Sequence, residues 1–114
     1  MSNQLTRSLS GKVHYPAKIL LDPNAILHVS LQDVTLVDAP AKELAQYVTP
    51  DGDTNGWLNF SLTYREADVL PGHRYVIHAQ IKLNNKVIMT THHAHPVVLG
   101  VDHLQPQEVL VDFV

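Results

Sequence analysis

The residues best equipped for chemistry stand together in Thr90-Thr91-His92-His93-Ala94-His95. On an extended strand alternate side chains share a face, so His93 and His95 would offer two imidazoles to one divalent ion. A third ligand is needed, and His14, His28 and His78 are candidates because each takes the polar phase of its own segment. Whether their strands adjoin this one is not written in the sequence. The alternative is ordinary strand-end or solvent-facing histidines making hydrogen bonds, since no further ligand follows at a fixed spacing.

Other constellations are weaker. Asp51-Gly52-Asp53-Thr54-Asn55-Gly56 matches the first half of a calcium loop, but position twelve is Leu62 where a bidentate Glu belongs, so a polar hairpin loop is expected. Asp33 and Asp38 bracket an apolar run and resemble a carboxylate pair, yet a bend residue and a turn-starting Asp account for them. Trp57 could stack on a ligand or simply pack at a strand start. No nucleophile elbow, phosphate-cradling glycine loop or paired carboxylates in an apolar setting is spaced for catalysis, so no enzyme and no cofactor is expected.

The elements that must position these side chains follow a period of two. Leu9, Gly11, Val13 and Tyr15 share one face, as do Leu27, Val29 and Leu31, then Leu58, Phe60, Leu62 and Tyr64, then Tyr75, Ile77, Ala79, Ile81 and Leu83. After Asp33 the apolar phase moves to Val34 and Leu36, which calls for a bulge or bend. Lys42 to Tyr47 has helix propensity, but Tyr47-Val48-Thr49 favours a strand there. Pro71-Gly72 and Asn84-Asn85 read as turns, the second as a two-residue hairpin. Pro96 to Gly100 is a short, edge-like piece, and the last strand turns Val109, Val111 and Phe113 to one side. Seven to eight strands without crossover helices predict an all-β antiparallel β-sandwich, with Leu31, Phe60, Tyr75, Ile77, Ile81 and Val111 in its core.

The chain's 114 residues suit one domain, expected over residues 9–114 behind a flexible segment at 1–8. A net charge of -3 leaves no broad basic footprint for nucleic acid or an anionic membrane. No run is long and apolar enough for a membrane span, and residues 1–8 lack the apolar stretch of a signal peptide, so the expectation from these residues alone is cytoplasmic. The chain has no cysteine, which removes disulfides, thiolate chemistry and lipid attachment through sulfur. The eight histidines make the surface charge sensitive to pH, and a cluster of His14, His28 and His78 would weaken the fold as pH falls.

Several stretches also follow a known order: Gly11-Lys12-Val13, Pro23-Asn24-Ala25, Val29-Ser30-Leu31-Gln32-Asp33-Val34-Thr35-Leu36-Val37-Asp38-Ala39-Pro40, Phe60 to Tyr64, and Pro71 to Ile81. Together with Thr90-Thr91 and Pro96-Val97 they resemble the YbaY/YscW-type family of small bacterial lipoproteins, which includes the type III secretion pilotins. The resemblance implies a β-sandwich and, for pilotin members, a chaperone role toward the outer-membrane secretin ring. It makes a non-catalytic protein-binding or chaperone-like module the leading expectation, with a secretin-like partner if the pilotin role holds. Periplasmic or outer-membrane association would then require an export segment upstream. The second expectation is a histidine-based metal- or small-ligand-binding sandwich. Sparse charge on the terminal and Pro96 to Leu99 segments further suggests a homodimer through an edge strand.

Overall fold

The computed structural model describes residues 5–16, 22, 24–50, 57–99 and 105–114. Among the described residues nine strands run in chain order: β1 Thr6–His14, β2 Ile26–Asp33, β3 Lys42–Pro50, β4 Trp57–Arg65, β5 Tyr75–Leu83, β6 Lys86–Thr90, β7 His95–Val97, β8 Gln107–Leu110 and β9 Asp112–Phe113. They form a small sheet in the order β4-β1-β8 and a large one in the order β3-β2-β5-β6-β9, with β7 also paired to β5. The sandwich expected from the period of two is therefore present, with one strand more than the upper count because β9 is only two residues long.

Alternation sets the core. Leu9, Val13, Leu31, Leu62, Ala79, Ile81 and Val109 are fully buried, and all six residues expected in the core lie within it. Among the described residues no polar or charged side chain is buried with them. β3 is a strand throughout, paired to β2, with Leu44 as an extra residue where the register steps between Leu31 and Gln32. Asn84 and Asn85 both take positive φ, at 53° and 65°, which gives the hairpin between β5 and β6 a twist that matches its strands.

Four expectations need correction. The sequence predicts a flexible segment at 1–8, but Thr6 to Ser8 pair with Arg65 to Thr63 and belong to β1. β1 and β8 run parallel, so the small sheet is mixed. β2 ends at Asp33 instead of continuing in a new phase, which leaves Leu36 and Val37 exposed. The Asp33 carboxylate explains that ending: it accepts from the Thr35 N–H at 3.0 Å and from the Thr35 hydroxyl at 2.5 Å, and it meets His73 Nδ1 at 2.6 Å. Finally, Phe113 is half exposed although Val109 and Val111 are buried, because the strand changes sheets between Val111 and Asp112. The Val111 N–H donates to the His14 carbonyl of β1 at 2.9 Å, whereas the Val114 N–H donates to the Ile88 carbonyl of β6 at 3.3 Å. The phase is reset at the crossing, so the sequence alternation no longer reports which side is inner.

Candidate functional site

That crossing creates a fork. On one side of it, residues 107–113 bind β1 and then β6; on the other, β7 holds only β5. β5 advances three positions from Ile77 to Gln80 while the facing chain advances five, from Thr90 to His95. The two extra residues form a bulge that carries His92 and His93 away from the ladder. Between this bulge and β8 lies a groove of about 660 Å³.

The groove is lined by His14, His92, His93, His95, Glu108 and Asp112, along with Tyr15, Val109, Leu110 and other apolar or small groups, and among the described residues no lysine or arginine lines it. His14 Nε2 lies 2.9 Å from Glu108 Oε1. The His92 Nε2–H donates to the Phe113 carbonyl at 2.8 Å, and His95 Nε2 meets Gln107 Oε1 at 3.0 Å. The Asp112 carboxylate accepts from the Phe113 N–H at 2.8 Å. Leu110 projects with 73% of its surface exposed.

Gly11 sets the spacing of the β8 side. A Cβ there would fall inside contact distance of the Gln107 carbonyl oxygen and 2.8 Å from both the Gln107 carbonyl carbon and Phe60 Cζ. Only glycine lets β8 lie this close to β1 above the Phe60 ring. The sequence carried this signal as a glycine in the buried phase of a strand, but its positioning role was missed.

The structure brings together only part of the proposed metal set. His93 and His95 do not share a straight strand, because the chain bends at His92 and His93 and extended structure resumes at His95. His14 joins them at the groove, but His28 and His78 lie on the polar face of the large sheet, away from the small sheet that carries His14. Among the described residues no group of three His, Cys, Asp or Glu side chains could hold a metal ion. The metal-binding alternative therefore finds no support in this geometry.

Elsewhere, burial pushes His28 and His78 below the ordinary histidine range, and Lys82 adds to the effect on His28. Asp33 is lowered to about 2, chiefly by the Thr35 hydroxyl, against the opposing effect of burial and with help from His73. With Asp33 committed to a turn and Asp38 exposed in the next one, the two form no carboxylate pair. The calcium-like loop at 51–56 and the Trp57 side chain lie outside what is described.

Fold and groove together define a small β-sandwich with a groove at its fork lined by imidazoles, carboxylates and apolar groups. Residues 4–108 match the family described as type III secretion system lipoprotein chaperone, YscW, and the chain belongs to that family. It is 36% identical over 91 residues to the uncharacterized lipoprotein YbaY of Escherichia coli K12, a match covering 80% of this chain. The chain spans about half (48%) of that relative's length. In structure it is similar to an alternative pilotin from the type II secretion system of Vibrio cholerae, with a TM-score of 0.82 and 29% identity. That likeness covers 96% of this chain and 98% of the pilotin.

Proposed function

We propose that this chain is a non-catalytic, pilotin-like module of the cell envelope that holds a segment of a secretin-type partner protein in the groove between β7 and β8. The observation that carries the reading is the near-complete mutual coverage with the alternative pilotin, so that the two folds correspond almost end to end. The groove supports it as well: an exposed Leu110 offers apolar contact, and the surrounding imidazoles and carboxylates supply a polar rim. Among the described residues no helix is long and apolar enough to cross a membrane.

Co-expression of the tagged chain with the secretin subunit of the same genome tests this reading. The secretin should be retained on the tagged chain, and Leu110→Asp should lower retention at least about tenfold by placing a charge at the centre of the contact. Absence of retention at micromolar concentration, with both proteins folded, would refute it.

A further inference from the structure

A second groove lies at the far end of β7. About 520 Å³ of space is lined there by Val69, Leu70 and Pro71 from the segment before β5 and by Pro96, Val98 and Leu99 at and beyond β7. Tyr75 and Val97, opposite one another in the ladder, line it too and are buried, whereas Leu70 and Val98 are exposed. Small-ligand sites usually enclose roughly 300–1,000 Å³ and are mostly apolar with a few polar groups, which is the character of this lining.

The wall before β5 is held in place by its own bonds. Gly72 makes the turn with φ at 79°, a value open to glycine without steric cost. The Leu70 N–H donates to the Tyr75 hydroxyl at 2.7 Å, the His73 N–H to the Leu70 carbonyl at 3.2 Å, and the Arg74 N–H to the Thr35 hydroxyl at 2.9 Å. The His73 Nδ1–H donates to the Asp33 carboxylate at 2.6 Å and the Val34 N–H to the Arg74 carbonyl at 2.9 Å, which ties this wall to the end of β2. A ligand entering here meets a preformed surface, and little further ordering is needed.

Those same bonds decide what the groove can hold. Pro71 and Pro96 have no N–H, and the N–H groups of Val69, Leu70, His73 and Arg74 already donate within the chain, that of Val69 to the Glu66 carbonyl at 3.0 Å. A peptide laid here would give up the water on its backbone and find few replacements, which costs free energy for each bond left unmade. An acyl chain has no such groups to satisfy. The sign of charge comes from Arg74, an exposed guanidinium that lines the groove and stays protonated throughout the ordinary pH range. Among the described residues no carboxylate lines it. Of the carboxylates at this end of the sandwich, Asp33 is bonded to Thr35 and His73, Glu66 to Arg7 and Asp68 to Arg65, while Asp38, Glu43 and Lys42 are exposed beyond β2.

We infer that this groove binds a single-chain fatty carboxylate, its tail between the loop and the end of β7 and its head paired with the Arg74 guanidinium. No described residue lines both this groove and the one between β7 and β8, so the inference stands apart from the partner reading.

Decanoate below its micelle concentration is the probe, titrated into the whole chain and followed by NMR, with decyltrimethylammonium and butyrate as controls for charge and tail. Decanoate should shift the methyl resonances of Leu70, Val98 and Leu99 saturably, and both controls should leave them nearly unmoved. Arg74→Gln should weaken decanoate about tenfold, and Arg74→Lys should recover part of the loss. Val98→Asp should abolish binding. Both side chains are exposed, so each variant should melt with the parent. Leu110→Asp, in the partner groove, should bind decanoate as the parent does. Equal binding of decyltrimethylammonium, or decanoate binding unchanged by Arg74→Gln, would overturn the inference. So would tighter binding of a leucine–valine–leucine tripeptide with a free carboxylate, which would assign the groove to a peptide end. Retention on phosphatidylcholine vesicles without any shift by decanoate would overturn it as well, in favour of a bilayer.

Discussion

Replacing Gly11 with alanine tests the fork at its narrowest point. On propensity alone the change should help, since glycine in a strand interior costs about 0.5–1 kcal/mol relative to alanine. The structure reverses the sign. The added methyl meets the Gln107 carbonyl, which is backbone and cannot rotate away, and the Phe60 ring stands 2.8 Å on its other side. Relief requires β8 to retreat from β1, which partly exposes Val109 and Val111, buried at 0% and 5% exposure, and stretches the bonds of the parallel ladder. Full burial of a valine-sized side chain is worth about 1.5–3 kcal/mol and each ladder bond about 0.5–1.5 kcal/mol. A partial retreat should therefore cost about 2–4 kcal/mol, lowering Tm by roughly 8–16 °C for a domain of this size. Thermal unfolding followed by circular dichroism measures this, with Ser10→Ala, on the exposed face of the same strand, as control. A Gly11→Ala protein melting within about 2 °C of the parent, with its β8 amides still protected from exchange, would show that the close approach does not hold the fork.

Ile77 is fully buried where β2, β5 and β7 meet, so Ile77→Ala should lower stability by about 2–5 kcal/mol in chemical denaturation, and a loss typical of a surface change would contradict the register. Acid should weaken the fold in two windows. His28 and His78 are depressed when folded, so the unfolded chain binds more protons and stability falls as pH drops from about 6.5 through their lowered values; Asp33, also depressed, loses its contribution as pH falls from about 3.8 through about 2. Equal stability at pH 5.5 and 7.5, or an unchanged slope in a His28→Gln, His78→Gln variant, would contradict the first window. Self-association should use the outer edge of β9, where Phe113 and Val114 are exposed, so sedimentation should show a dimer that Phe113→Lys disrupts; a monomer throughout the micromolar range would remove the dimer.

β5 of the large sheet and β4 of the small one were legible because each keeps a single phase: Tyr75, Ile77, Ala79 and Ile81 alternate, as do Leu58, Phe60, Leu62 and Tyr64, and each is buried. The C-terminal strands and the groove were less so. Nothing in the run from Val109 to Phe113 announces that one strand serves two sheets, because the switch depends on what lies beside it rather than on its own pattern. The histidines show the same limit. Their number was plain, but His14 and His95 come to line one groove only through the pairing of β1 with β8, and it is burial, with Lys82 for His28, that shifts His28 and His78 rather than a three-histidine cluster. Bulges that re-aim side chains come from register shifts between strands, and no local spacing encodes them.

The parallel pairing of β1 with β8 also constrains the order in which the chain can assemble. β5 and β6 are joined by Asn84-Asn85 alone, whereas Lys12 must wait for Glu108 and Thr6 for Arg65. The entropy of closing a loop grows with its length, so the hairpins of the large sheet should form first and the small sheet last. Until residues 107–113 arrive, the inner face of the large sheet has no lid along one flank, and a chain threaded through a pore or leaving a ribosome would carry that bare apolar surface throughout its transit. Pulse-labelled exchange during refolding should accordingly protect β5 and β6 before β1 and β8, and simultaneous protection of all four would show that the sheets close together.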